Sequence, residues 1–178
     1  MKNALILHGT DSGPDSNWFP WLKIELDKLG YEAWAPQLPD ADFPDMKKYK
    51  DLLLESDFDF NEETLVIGHS SGAVAALHIL QELKKPIDKA IMVASFRGDL
   101  GWDKLAALKD EPNYDKIKGK AKEIIFVHSD DDPYCPLEHP QYQAEQTDGR
   151  VVILPGQEHF SYESNPKHKQ LPEILDLL

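Results

Sequence analysis

Ser70 lies in the run Gly68-His69-Ser70-Ser71-Gly72, preceded by Thr64-Leu65-Val66-Ile67 and followed by Ala73-Val74-Ala75-Ala76-Leu77. A serine between a strand-forming run and a helix-forming one can sit on a turn sharp enough to hold its Oγ clear of the backbone, where it can attack an acyl carbon. Gly68 and Gly72 fit that geometry, because such a turn brings strand and helix too close for side chains two residues either side of the nucleophile. The helix start adds a partial positive charge, and Ser71 N–H lies where an oxyanion would form. Glycines and serines also make ordinary turns. It is the strand before and the helix after that favour a nucleophile here.

A nucleophilic serine needs a base, and the base needs an acid to orient it. In a parallel sheet covered by helices, such groups belong on loops at the carboxyl ends of the strands. After a fifth apolar run the chain reads Ser129-Asp130-Asp131-Asp132-Pro133-Tyr134-Cys135-Pro136, and after a sixth it reads Pro155-Gly156-Gln157-Glu158-His159-Phe160. His159 is the candidate base, and Asp130, Asp131 and Asp132 are candidates for the acid. The aspartates that do not fill that role are expected to serve as turn and capping residues. The order serine, aspartate, histidine is that of the nucleophile-elbow hydrolases and not of the chymotrypsin or subtilisin arrangements. A second oxyanion donor is expected from the loop after the first apolar run, with Thr10 preferred and Gly9 the alternative.

Other chemistries lack their signatures. The sequence has no paired histidines or cysteine cluster at metal-ligand spacing, so no metal is expected. Gly9 and Gly13 do not make G-x-G-x-x-G, so no dinucleotide or other cofactor is expected. Cys135, the single cysteine, reads as a buried inert neighbour of the acid. His8, His69 and His128 read as packing or hydrogen-bonding support around the site. Trp18 and Trp21 read as core residues, although the loop before them could wall a pocket.

The elements that must position these groups are legible as alternating strand and helix patterns. Candidate strands are 4–7, 32–35, 64–67, 89–93, 123–128 and 150–154, and candidate helices are 18–29, 46–56, 73–84, 102–108, 138–146 and 169–178. Several strands are continuously apolar, as expected when both faces are covered. The pattern predicts an α/β protein with a doubly wound, mostly parallel sheet of about six strands. At 178 residues the chain reads as a single domain, residues 1–178, able to bury roughly 70% of its unfolded surface. Residues 95–119 are too long for a simple crossover and predict a small lid. Arg97, Asp99, Lys104, Asp110 and Lys118 interrupt its apolar face, so a shallow, open site for a short acyl chain is expected.

The net charge of −13, from 19 basic and 32 acidic residues, argues against nucleic acid and anionic membranes as partners. No stretch approaches the ~20 apolar residues of a membrane helix, and the N-terminal apolar run is too short for a signal peptide. A cytoplasmic protein acting on a small-molecule acyl substrate is the expectation. The sequence carries no signal for a protein partner.

Five segments taken together resemble a known family. They are His8-Gly9-Thr10, Asn17-Trp18-Phe19-Pro20-Trp21-Leu22, Gly68-His69-Ser70-Ser71-Gly72, Asp132-Pro133-Tyr134-Cys135-Pro136 and His159-Phe160. They resemble the α/β-hydrolases, and within them the small serine hydrolases grouped with retinoblastoma-binding protein 9 and the bacterial YdeN-type proteins. The resemblance implies a compact α/β-hydrolase fold with a minimal lid and activity on small esters or related acyl compounds. Its pattern selects Asp132 as the acid, giving Ser70, Asp132 and His159 as catalytic residues with Thr10 and Ser71 as oxyanion donors. Gln157-Glu158 departs from the small residues that usually precede the histidine. The contrasting expectation is a binding or regulatory protein on a hydrolase scaffold with little turnover, but a strained serine paired with a base would give such a scaffold nothing.

Overall fold

The computed structural model describes residues 1–178. Six strands, β1 (Asn3–Leu7), β2 (Glu32–Trp34), β3 (Leu65–His69), β4 (Ile87–Val93), β5 (Ala121–His128) and β6 (Arg150–Ile153), form one sheet in the order β2-β1-β3-β4-β5-β6. Every pairing is parallel. The expected strands are all present, each within about two residues of its sequence-based limits. Because β1 is flanked by β2 on one side and β3 on the other, the winding direction reverses between β1 and β3. The carboxyl ends of those two strands therefore open a crevice not closed by a crossover, the usual place for a ligand in such sheets.

Alternation along each strand sorts the core onto two faces. Leu5, Leu7, Val66, Ala90, Met92, Ile124 and Phe126 pack under α2 (Met46–Leu54), α3 (Ser71–Leu80) and α5 (Glu138–Thr147). Ala4, Ile6, Leu65, Ile67, Ile91, Val93, Ile125 and Val127 pack under α1 (Phe19–Lys28) and the C-terminal segment. The period of two in the strands places neighbouring residues in opposite layers. That accounts for strands apolar on both faces.

Two helical expectations need correction. Residues 102–108 form a 3₁₀ helix, Asp103–Leu108, followed by a single α-turn, α4 (Tyr114–Ile117). The segment lies between Gly101, which has φ +74°, and Pro112, which bound it on both sides. Residues 169–178 are not an α-helix. Two 3₁₀ helices, Pro166–Lys169 and Pro172–Leu177, occupy the C-terminus, because Pro172 lacks the N–H and obstructs the turn an α-helix would need there. Leu171 and Ile174 still reach the core. No helix is long and apolar enough to cross a membrane.

His8, His69, His78, His128 and His168 are all buried. Burial pushes His69 down to about 3, helped by the neighbouring His159, and burial with Lys50 nearby pushes His78 down to about 4. The other three are also lowered, chiefly by desolvation. The unfolded chain takes up protons at these sites below about pH 6.5 while the native protein does not, so stability is lost as pH falls through that window. By pH 5 the loss reaches about 2 kcal/mol each for His69 and His78. Thermal melts should therefore show a lower Tm at pH 5 than at pH 7; an unchanged or higher Tm would mean these rings are not held neutral.

Candidate active site

Strand β3 ends at His69 and helix α3 begins at Ser71, so the whole turn is made by Ser70. Its backbone takes φ +55° and ψ −124°, a conformation L residues rarely adopt and one that costs about 1–3 kcal/mol. Two glycines make the turn possible. A Cβ on Gly68 would lie 2.5 Å from the Gly72 carbonyl oxygen, and one on Gly72 would lie 2.3 Å from the Leu7 carbonyl oxygen. Backbone, not flexible side chain, fills both places.

The structure brings Ser70, Asp132 and His159 together. His159 Nε2 lies 3.1 Å from Ser70 Oγ, and His159 Nδ1 lies 2.9 Å from Asp132 Oδ2. The side chain of Asp132 is 1% exposed and that of His159 is 11% exposed. Burial pushes the Asp132 carboxyl up, but the hydrogen bond and charge of His159 and the amides of Cys135 and Tyr134 outweigh it, holding the group below the usual range. Those amides donate to Asp132 Oδ1 at 3.0 and 2.9 Å. The carboxylate is thus tied to its own loop through one oxygen and to the imidazole through the other.

Asp130 and Asp131 do cap backbone amides, but on a loop far along the chain. Asp130 accepts from Gly156 N at 2.9 Å and Asp131 from Glu158 N at 2.8 Å. Ser129 Oγ donates to Asp131 at 2.6 Å and accepts from Gln157 N at 2.9 Å. The run of three aspartates thus grips the histidine loop at three points. On the other side of that loop, Trp18 Nε1 donates to Phe160 O at 3.1 Å, and Asn17 Oδ1 accepts from Tyr162 N at 2.8 Å. Trp18 is core, as expected, but its indole N–H also fastens the site. The signal for this grip was the unusual density of short acceptors at 129–132; its partners were not readable.

Thr10 and Ser71 also meet. The Thr10 hydroxyl donates to Ser71 Oγ at 2.9 Å, tying the loop after β1 to the start of α3. Gly9 packs beside them, its Cβ position 3.0 Å from Ser70 Cβ.

A cavity of about 790 Å³ opens over Ser70 and His159, with Thr10, Trp21, Trp102 and Tyr134 among its walls. The lid segment contributes Phe96, Leu100, Trp102 and Leu105. Two of the charges that interrupt its apolar pattern are paired: Arg97 with Glu111 at 2.8 Å, and Lys104 with Asp11 at the cavity wall. Tyr134 stands edge-on to the His159 ring at 5.1 Å, and Trp102 edge-on to Tyr134 at 5.7 Å.

The donor atoms of Asp132, Cys135 and His159 lie within 4.8 Å of one another. They do not make a good metal site. His159 Nδ1 is taken by Asp132 and Nε2 by Ser70, leaving no imidazole lone pair free for an ion, and burial with the charge of Asp132 keeps the Cys135 thiol protonated. The same protonation argues against Cys135 as a nucleophile.

The sequence model of the serine hydrolases matches residues 4–178. The chain belongs to the serine hydrolase family. It is 28% identical to the serine hydrolase RBBP9 of Rattus norvegicus over 165 residues, covering 88% of this chain and 86% of that one. The crystal structure of the ydeN gene product of B. subtilis superimposes with a TM-score of 0.91 at 25% identity, covering 99% of this chain and 96% of the other. The esterase domain of a Rhodothermus marinus protein shares the fold, with a TM-score of 0.70 at 16% identity over 99% of this chain and 85% of its own. This serine hydrolase is accordingly an enzyme with the α/β-hydrolase fold.

Proposed function

We propose that this serine hydrolase cleaves small esters and related acyl compounds through Ser70, His159 and Asp132. The observation that carries the reading is the unbroken relay from Ser70 Oγ to His159 Nε2 and from His159 Nδ1 to Asp132 Oδ2, at 3.1 and 2.9 Å. His159 takes the hydroxyl proton as Oγ bonds to the acyl carbon, and the carbonyl π pair moves onto oxygen. Collapse of that tetrahedral species breaks the bond to the leaving group, which receives the proton from His159. Water, deprotonated by the same imidazole, then attacks the acyl-enzyme, and its collapse releases the acid and returns the proton to Ser70. Asp132 holds the tautomer with Nδ1–H and stabilises the imidazolium. The amides of Ser71 and Thr10 bind the oxyanion, and the Thr10–Ser71 hydroxyl bond sets their separation.

The cavity walls include Asp11, Asp15, Lys104 and Glu163, charged groups that a long apolar chain would have to lie against. Hydrolysis of p-nitrophenyl esters from two to sixteen carbons should peak at acetate or butyrate, with no rate jump where the substrate leaves solution. A maximum at ten carbons or beyond would overturn the small-substrate reading while leaving the nucleophile in place.

A further inference from the structure

His69 precedes the elbow serine on β3, yet its one hydrogen bond goes to the histidine loop. Its Nε2 lies 2.8 Å from the carbonyl oxygen of His159. Only an N–H can serve an acceptor there, so the ring is the Nε2–H tautomer, and the bare Nδ1 is left buried without a partner. The imidazole packs against the adjacent rings of Trp18 and Phe19 at 6.1 and 6.0 Å, and its ring centre lies 5.0 Å from that of His159. The groups bearing on it electrostatically are His159, Asp132 and His168, and burial, followed by His159, pushes it down to about 3. The ring is thereby held neutral, as a donor, around neutral pH.

The carbonyl it grips is in a place that needs gripping. His159 lies between two non-glycine residues in left-handed backbone, Glu158 at φ +51° and Phe160 at φ +54°. Such backbone persists only where the surroundings over-determine it. Bonds from Asp131 to Glu158 N and from Trp18 to Phe160 O fasten the residues on either side. The bond from His69 fastens His159 itself, and it comes from the residue covalently joined to Ser70.

We propose that His69 is a positioning residue, whose Nε2–H sets the separation between His159 Nε2 and Ser70 Oγ by holding the His159 carbonyl. This inference rests on the reading of Ser70 and His159 as nucleophile and base. His128 stands in the same relation to the acid loop, with Nε2 on Cys135 O at 2.8 Å and Nδ1 buried without a partner. Two strand-end histidines thus anchor the two loops from below.

Steady-state kinetics on His69→Phe and His69→Gln test this. A glutamine amide N–H can reach the place of Nε2, whereas phenylalanine fills the ring space with no donor. His69→Phe should lose about 10–100-fold in kcat with KM within about twofold, because sub-ångström misplacement weakens proton transfer and not binding. His69→Gln should recover to within about threefold of the wild type. Should His69→Phe not accumulate as folded protein, His69→Asn, whose amide falls one carbon short of the carbonyl, takes its place in the comparison. Wild-type kcat in the donorless variant, equal losses in all variants, or a loss confined to KM would each overturn the proposal. Ser70→Ala assayed in parallel separates the two layers: an active Ser70→Ala refutes the nucleophile reading, whereas an inactive one beside a fully active His69→Phe refutes only the role of His69.

Discussion

Ser70→Ala is expected to abolish labelling by a fluorophosphonate probe and to lower p-nitrophenyl acetate turnover on the order of 10⁵–10⁶-fold, as loss of a nucleophile does when no other group can form the acyl-enzyme. Thermal stability should stay within about 1 kcal/mol of the wild type. The substitution removes one oxygen, whose partner in the fold is His159 Nε2, and leaves the backbone at φ +55° no more strained than before. The two effects must separate for the interpretation to hold. Retained labelling would move the nucleophile to another residue; lost labelling with a large fall in Tm would show only that the elbow had collapsed. Cys135 is not a substitute nucleophile, since its thiol is buried and held protonated.

What could be read in advance was local. The elbow is legible because each requirement falls within five residues: glycines where strand and helix touch, serine at the turn, apolar runs on both sides. The inner strands are legible because both faces of the sheet are covered there, leaving runs such as Ala4–Leu7 and Leu65–Ile67 continuously apolar. The roles of Asp130 and Asp131 were not legible in full. Their amide partners lie 26 and 27 residues away, on a loop whose path depends on the packing of β5 against β6. The bond from His69 spans 90 residues, and nothing in Gly68-His69-Ser70 announces it. How the lid packs was hidden for a related reason. Arg97 and Lys104 look like breaks in an apolar face, but in the fold each finds a carboxylate, Glu111 or Asp11, and Trp102 and Leu105 turn to the cavity. Charge in a sequence pattern says where water or a counter-ion can be found, and only the fold says which.

Asp132→Asn is expected to cost on the order of 10⁴ in kcat, the scale on which losing the tautomer-setting carboxylate acts in such relays. The amide keeps an oxygen able to accept from Tyr134 N and Cys135 N, so the loop and its stability should survive. Its NH₂ group faces His159 Nδ1 where a carboxylate oxygen stood, and two donors cannot share that contact. The imidazole must then carry its proton on Nε2, the atom that has to accept from Ser70. The loss should fall on kcat and leave KM nearly unchanged, because no substrate contact is removed. Asp130→Asn and Asp131→Asn form the internal comparison. Each keeps an oxygen that can accept the same backbone amide, Gly156 N or Glu158 N, so each should stay within about tenfold of the wild type, the range for a small displacement of a positioned group. Kinetics on the three variants decide among the aspartates: if Asp131→Asn were the crippling change and Asp132→Asn the mild one, the bond from Asp132 to His159 would not be the one that sets the tautomer.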